Sequence, residues 1–144
     1  MFIQAGTWTE VNVAGVLADV SYNEAAVVTV ATPNSIASIV RHLLFWNRVM
    51  IQRIEGVQPE IPAANGFDVP PVQSDADWKA LIKNMLASAA ELALAIKNTD
   101  DTKLEMPIIA GFTTTYKNLQ GTVEHIHYHL GEIMILKKLI RNKS

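Results

Sequence analysis

The sequence predicts an all-α fold, a four-helix bundle with one long crossover loop. Three observations support this prediction: helix-start capping patterns recur along the chain, the long segments repeat apolar residues with a helical period, and one proline-rich and glycine-rich stretch interrupts them. A chain of 144 residues that is 49% hydrophobic and 18% charged suits one globular domain. We therefore expect residues 1–144 to form a single helical domain.

Two helix starts are expected near the N-terminus. Thr7 with Glu10, and Ser21 with Glu24, both form the S/T-x-x-E pattern. In this pattern the hydroxyl and the carboxylate each accept a hydrogen bond from a free backbone amide at the helix start. The two patterns predict a first helix over residues 8–20 and a short helix beginning near residue 22.

The second long helix is predicted over residues 35–55. Thr32-Pro33-Asn34-Ser35 provides a turn and an N-cap, because the residue before a proline disfavours helix and Asn or Ser accepts from the first amides. A helical wheel separates a polar stripe from an apolar face that should point to the core. The polar stripe consists of Arg41, Arg48, Gln52 and Glu55.

Residues 56–73 are predicted to form a long irregular connection. They contain four prolines and two glycines and show no periodicity. A loop of this length is often functional. It either covers a pocket or connects two parallel helices.

Two more long helices are predicted beyond this loop. Ser74 and Asp77 cap a third helix that continues to about residue 98 with regularly spaced apolar residues. Residues 104–114 favour extended structure but contain Pro107 and Gly111, which predicts a short β-hairpin or an extended crossing. The last helix is predicted over residues 115–141.

Composition and charge exclude several classes of protein. A net charge of −2 provides no basic field for nucleic acid, and the basic residues near the end of the chain are interpreted as cations at a helix C-terminus. The absence of cysteine excludes disulfides, thiolate ligands and a protein thiol nucleophile, so any thiol must come from outside. MFIQAGTWTE lacks a basic region followed by an apolar core, and no apolar run approaches the roughly 20 residues of a membrane span. We expect a cytoplasmic protein without a membrane or nucleic-acid partner.

Three of the four histidines lie within residues 125–129. At about 100° per residue, His125 and His129 are about 40° apart on the helix, whereas His127 is about 160° from both. An i,i+4 pair of imidazoles can give a divalent metal two ligands from one rigid helix, although structural histidines and an exposed pair are alternatives. His127 is predicted to contact solvent or a second subunit, with Tyr128 beside it.

His42 is the remaining histidine and is predicted to face the core, about 120° from the polar stripe of its helix. Three neutral imidazoles from two helices would leave coordination positions open, as a catalytic metal site requires. Glu132 lies on the flank that carries His125 and His129, where it could be a fourth ligand, a general base or a hydrogen-bond acceptor from an imidazole. The alternative for Glu132 is a surface carboxylate paired with Lys137 or Arg53.

The nearby large side chains are predicted to fill the core rather than to bind a cofactor. These residues are Trp46, Met50 and Met85.

Over nearly its whole length the sequence resembles the DinB/YfiT-like superfamily of metalloenzymes. The likeness lies in a Trp-bearing first helix, the segment SIASIVRHLLFWNRVMIQRIEG, a third helix that begins at a tryptophan, and the segment LQGTVEHIHYHLGEIMILKKLI. The resemblance implies a four-helix bundle that binds a divalent metal through His42, His125 and His129. In one departure, Glu132 follows the glycine where many relatives have glutamine, so a neutral amide is replaced by a potential anion.

Three functional hypotheses follow. The first is a metal-dependent hydrolase or thiol-dependent transferase, in which Zn, Ni, Fe or Mn activates a water or an external low-molecular-weight thiol, Glu132 assists proton movement, and the substrate is an unidentified small molecule. The second is a noncatalytic stress-response module, a homodimer that binds a metal or a small ligand. The third has no site, and its histidines are structural. The resemblance and the wide apolar helix faces favour a homodimer.

Overall fold

A computed structural model of the protein describes residues 12–68 and 70–142. Its helices are α1 (Val13–Leu17), α2 (Tyr22–Ala25), α3 (Ile36–Ile54), α4 (Asp75–Lys97) and α5 (Thr115–Arg141). A short 3-10 helix, Asp101–Lys103, follows α4. The described residues contain no β-strand, so the predicted all-α class is confirmed. None of the described helices has both the length and the apolar character needed to cross a bilayer.

The predicted caps account for where most helices begin. Ser21 and Glu24 form the expected reciprocal capping box at the start of α2. Ser35 caps α3 and Ser74 caps α4, in each case by accepting from the amide three residues later. Helices α3, α4 and α5 therefore begin within one residue of the predicted positions.

The first helix differs from the prediction. Its predicted cap, Thr7 with Glu10, lies outside the described residues. In the described part of the chain, Asn12 is the N-cap of α1. The helix ends at Leu17 rather than at residue 20. After Leu17 the amides of Ala18 and Val20 donate to carbonyls three residues earlier, so tighter turns replace the α-helical repeat before α2 begins.

Helices α3 and α4 run parallel and share the larger part of the core. Ile36 and Trp78, near the two helix starts, lie in one apolar cluster, whereas Met50 and Leu92, near the ends, lie in a second. The loop 55–74 must therefore return along the length of α3. This finding agrees with a connection between parallel helices.

Helix α5 packs antiparallel to α3, and its C-terminal turn is tied to the N-terminal segment. The Nζ of Lys137 lies 2.7 Å from both the Val16 carbonyl and Asp19, and Arg141 bridges Asp19 and Glu24. These cations therefore form specific ion pairs in addition to complementing the helix dipole. The contacts fix the orientation of the helix that carries two of the candidate ligands.

The segment before α5 makes one antiparallel bridge, between Pro107 and Thr114, instead of a stranded hairpin. The amide of Ile108 donates to the Thr113 carbonyl at 3.1 Å to close the turn. Pro107 has no N–H, so it cannot contribute a donor to a longer ladder. The segment is a hairpin-like turn that leads into α5.

Candidate metal centre

The three predicted ligand residues meet at one point between α3 and α5. The Nε2 atom of His125 lies 2.9 Å from that of His42 and 3.0 Å from that of His129. One ligand atom from each residue falls within 4.8 Å of the others. His42 and His129 are buried, with 2% and 6% of their surface exposed, and His125 is half-buried.

Helical periodicity explains why two of the histidines in α5 join this cluster and the third does not. His125 and His129 are one turn apart and face α3, as the wheel predicts. His127 lies outside the cluster, where its Nδ1 is 2.9 Å from the Val123 carbonyl of its own helix. Tyr128 is exposed, and its predicted place in a subunit interface stays a prediction.

The crossover loop fixes the orientation of His42. The Nδ1 of His42 lies 2.6 Å from the backbone carbonyl of Asn65. Because a carbonyl only accepts, Nδ1 must carry the proton, and the lone pair of His42 is left on Nε2. The side chain of Asn65 accepts a second hydrogen bond, from Nε1 of Trp46 at 2.9 Å.

A left-handed turn brings the loop close to α3. Asn65 has a φ of 53° and Gly66 a φ of 81°. A Cβ at residue 66 would lie 2.6 Å from Cβ of Phe45, so only glycine fits here without a shift. The next residue, Phe67, stacks on the His42 ring with centroids 4.0 Å apart and planes 7° apart.

Glu132 orients His129 in the way that the Asn65 carbonyl orients His42. Its Oε1 lies 2.5 Å from Nδ1 of His129, one turn earlier on α5. A carboxylate in this position accepts a hydrogen bond from Nδ1–H and leaves the lone pair of His129 on Nε2. Of the roles predicted for Glu132, this contact corresponds to the hydrogen-bond acceptor from an imidazole. Lys137, considered as a surface partner for Glu132, binds Asp19 instead.

Burial keeps the histidines neutral. Desolvation, assisted by the neighbouring imidazoles, lowers the pKa of His125 to about 4, and desolvation followed by the charge of His42 lowers the pKa of His129 to about 4. Desolvation also lowers the pKa of His42, against the opposing effect of the Asn65 carbonyl. Burial raises the pKa of Glu132. Neutral imidazole is the form that binds a metal, so the cluster is competent for ligation at neutral pH.

The donor set fits a divalent transition metal. His42 and His129 both direct an Nε2 lone pair towards the third imidazole, and their Nδ1 protons are held by Asn65 and Glu132. Such outer hydrogen bonds normally orient histidines that bind metal. Imidazole nitrogen suits Zn, Ni and Fe, and three protein ligands leave room for water or substrate.

A cavity of about 330 Å³ adjoins the cluster, and His125 and Trp46 form part of its wall. Trp46 is half-buried, so its predicted role as core filling is wrong in part. Met50 and Met85 are buried as predicted. The cavity gives a small molecule access to one side of the histidine cluster.

Comparison with known families gives one match over most of the chain. A family model described as the DinB superfamily matches residues 6–133. The chain belongs to the DinB superfamily. No curated protein and no solved structure matches it.

Sequence reasoning missed the contributions of Asn65 and Phe67 to the cluster. The Asn65-Gly66 dipeptide is a turn signal, but a turn signal does not show which helix the turn will contact. One of the two predicted roles of the loop 56–73, covering a pocket, anticipated these contacts. The loop joins parallel helices and also contacts His42.

Proposed function

We propose that the protein is a metal-dependent enzyme, a hydrolase or a thiol-dependent transferase, in which His42, His125 and His129 hold one divalent ion. The observation that carries this proposal is the arrangement of the three Nε2 atoms, spaced 2.9 and 3.0 Å apart, with two of the Nδ1 protons held from behind. A bound Zn, Ni, Fe or Mn ion would lower the pKa of a water or of an external low-molecular-weight thiol and so supply a nucleophile near neutral pH.

The surrounding residues support this role. The Asn65 carbonyl and the Glu132 carboxylate orient two imidazoles, and Phe67 covers the ring of His42 and excludes water from it. Through its contact with His129, Glu132 acts as a positioning residue. Its predicted part in proton transfer is retained as a proposal, supported by its place beside His129 and by burial, which raises the pKa of its carboxyl.

The first experiment measures metal content by mass spectrometry in protein purified without a histidine tag or added metal. We expect about one divalent ion per chain in the wild type, and its loss in His42→Ala and His129→Ala, since each variant removes a ligand. His127→Ala is the matched control, because it removes an imidazole from the same helix outside the cluster. Absence of metal, together with no uptake of Zn, Ni, Fe or Mn, would refute the proposal.

A second measurement separates an enzyme from a noncatalytic metal-binding module. Ester hydrolysis and thiol transfer are assayed before and after removal of the metal, and the melting temperature is recorded alongside. The enzyme predicts loss of turnover that returns on reconstitution. A metal that raises the melting temperature while turnover is absent or unchanged would favour the noncatalytic module.

A further inference from the structure

The cavity beside the histidine cluster has positively charged side chains in its lining. It is bounded by α3, by the start of α5 and by the turn before α5. Two cations, Arg53 and Lys117, line it, and no carboxylate occurs among the described lining residues. A pocket lined in this way attracts anions.

Arg53 packs against two aromatic rings. Its Cζ lies 5.4 Å from the ring centroid of Trp46 and 5.0 Å from that of Phe112. Contacts of a guanidinium with aromatic faces stabilise the cation but do not occupy its N–H groups. Among the described residues, the buried Nε of Arg53 has no hydrogen-bond partner.

An unpaired buried guanidinium nitrogen is costly and requires an explanation. Arg53 does lie in the last turn of α3, where a cation complements the helix dipole. That role needs only an exposed cation near the helix end. It does not account for a half-buried guanidinium on the wall of a cavity.

Two other polar side chains of the cavity already donate hydrogen bonds within the protein. Asn118 donates to the carbonyls of Thr113 and Thr114, and Thr122 donates to the Asn118 carbonyl. The two cations are the charged side chains among the described lining residues that can select a ligand. Trp46, Met50 and Ile126 provide an apolar surface beside them.

Trp46 links this pocket to the proposed metal centre. Its ring centroid is 6.1 Å from that of His125, and the Arg53 guanidinium lies against the same indole. A small molecule in the cavity would therefore touch both Arg53 and the edge of the histidine cluster. The volume of about 330 Å³ is at the lower end of the range for small-molecule sites.

We infer that this cavity binds the substrate, and that the substrate is a small molecule with an apolar body and a carboxylate or phosphate group held by Arg53 and Lys117. This inference rests on the proposed function for the reaction, but the binding step does not need the metal. A planar guanidinium binds either anion through two parallel hydrogen bonds. The adjacent imidazoles would then lie beside the body of the bound molecule.

The test is isothermal titration of the metal-free protein with benzoate, phenyl phosphate and the neutral analogue benzamide. We expect at least one anion to bind at least about tenfold more tightly than benzamide, because a charge-assisted pair is lost with the neutral ligand. NMR should show that the bound anion shifts the indole N–H resonance of Trp46. Binding by benzoate alone would indicate a carboxylate substrate, and binding by phenyl phosphate alone a phosphate ester.

Variants then identify the residue responsible. Arg53→Gln should lose about tenfold or more in affinity for the anion, and Lys117→Gln, an exposed position, about twofold to threefold. Arg48→Gln is the control, since it removes an exposed arginine from the same helix outside the cavity. Thermal unfolding checks that each variant is folded. If Arg53→Gln does not fold, the affinity of Lys117→Gln for the anion still tests the inference.

Two results would overturn the inference: neither anion binds the wild type more tightly than benzamide, or affinity is unchanged in both Arg53→Gln and Lys117→Gln. Repeating the titration with zinc-loaded protein separates the two proposals. If zinc is not taken up but Arg53-dependent binding persists, the metal proposal fails and the anion pocket stands. If zinc is taken up but anion affinity does not change in Arg53→Gln and Lys117→Gln, the anion pocket fails and the metal proposal stands.

Discussion

Replacing Glu132 tests how strongly the proposed metal centre depends on the hydrogen bond behind His129. The carboxylate lies 2.5 Å from Nδ1 of His129, and its side chain is only 28% exposed. A neutral hydrogen bond contributes about 1 kcal/mol and a charge-assisted one about twice that. Glu132→Gln, which keeps an acceptor but removes the charge, should therefore weaken metal binding by about 1 kcal/mol, or about fivefold. Glu132→Ala should weaken it by about 10-fold to 100-fold.

The assay is competition for zinc with a chromophoric chelator at constant pH. Glu124→Gln and Glu124→Ala serve as controls, because Glu124 is an exposed glutamate on the same helix. We expect the order wild type, Glu132→Gln, Glu132→Ala, with both controls equal to the wild type. Unchanged affinity in Glu132→Ala would contradict the reasoning, and a loss far beyond 100-fold in Glu132→Gln would instead indicate that Glu132 is itself a ligand.

Three further predictions concern stability. Gly66→Ala should lower stability by about 1–3 kcal/mol in urea unfolding, because residue 66 has a φ of 81° and no room for a Cβ, whereas Gly131→Ala on the open face of α5 should not. Arg141→Gln should lower the melting temperature at neutral pH, because it removes the ion pairs with Asp19 and Glu24. Arg141, with help from the Ser21 amide, lowers the pKa of Glu24 from 4.5 to about 2. The stabilisation from this ion pair is therefore complete above pH 4.5 and is lost as the pH falls towards 2. Between pH 4.5 and 2 the melting temperature of the variant should fall less than that of the wild type. Trp78→Phe should cost about 1–2 kcal/mol in the same urea assay, because a buried carbonyl loses its 2.7 Å hydrogen bond from the indole; an unchanged midpoint would show that the carbonyl finds another donor.

The sequence predicted the parts of the fold that depend on local chemistry. Ser21, Ser35 and Ser74 each accept from an amide three residues later, and this contact needs no information from the rest of the chain. The grouping of His125 with His129 depends on the helical repeat alone. These features could therefore be predicted without a structure.

The remaining features depend on contacts between distant segments. The loop 56–73 has no periodicity, so nothing in its sequence shows that the Asn65 carbonyl reaches His42 or that Phe67 stacks on it. The same limit applies to Arg141, where a general dipole argument described the charge but not its partners Asp19 and Glu24. Such pairings arise from the relative placement of helices, which a single sequence does not encode in any short motif.

The acceptor for the Nδ1–H of His42 is the main-chain carbonyl of Asn65, not a side chain. Every amino acid has a carbonyl, so a change of side chain at residue 65 alone does not abolish the acceptor. What must be preserved is the path of the backbone, which depends on the left-handed pair Asn65 and Gly66 and on the close approach to Phe45. An insertion or deletion in this loop would therefore remove the acceptor that keeps the proton of His42 on Nδ1. Metal affinity would then fall although all three histidines are unchanged.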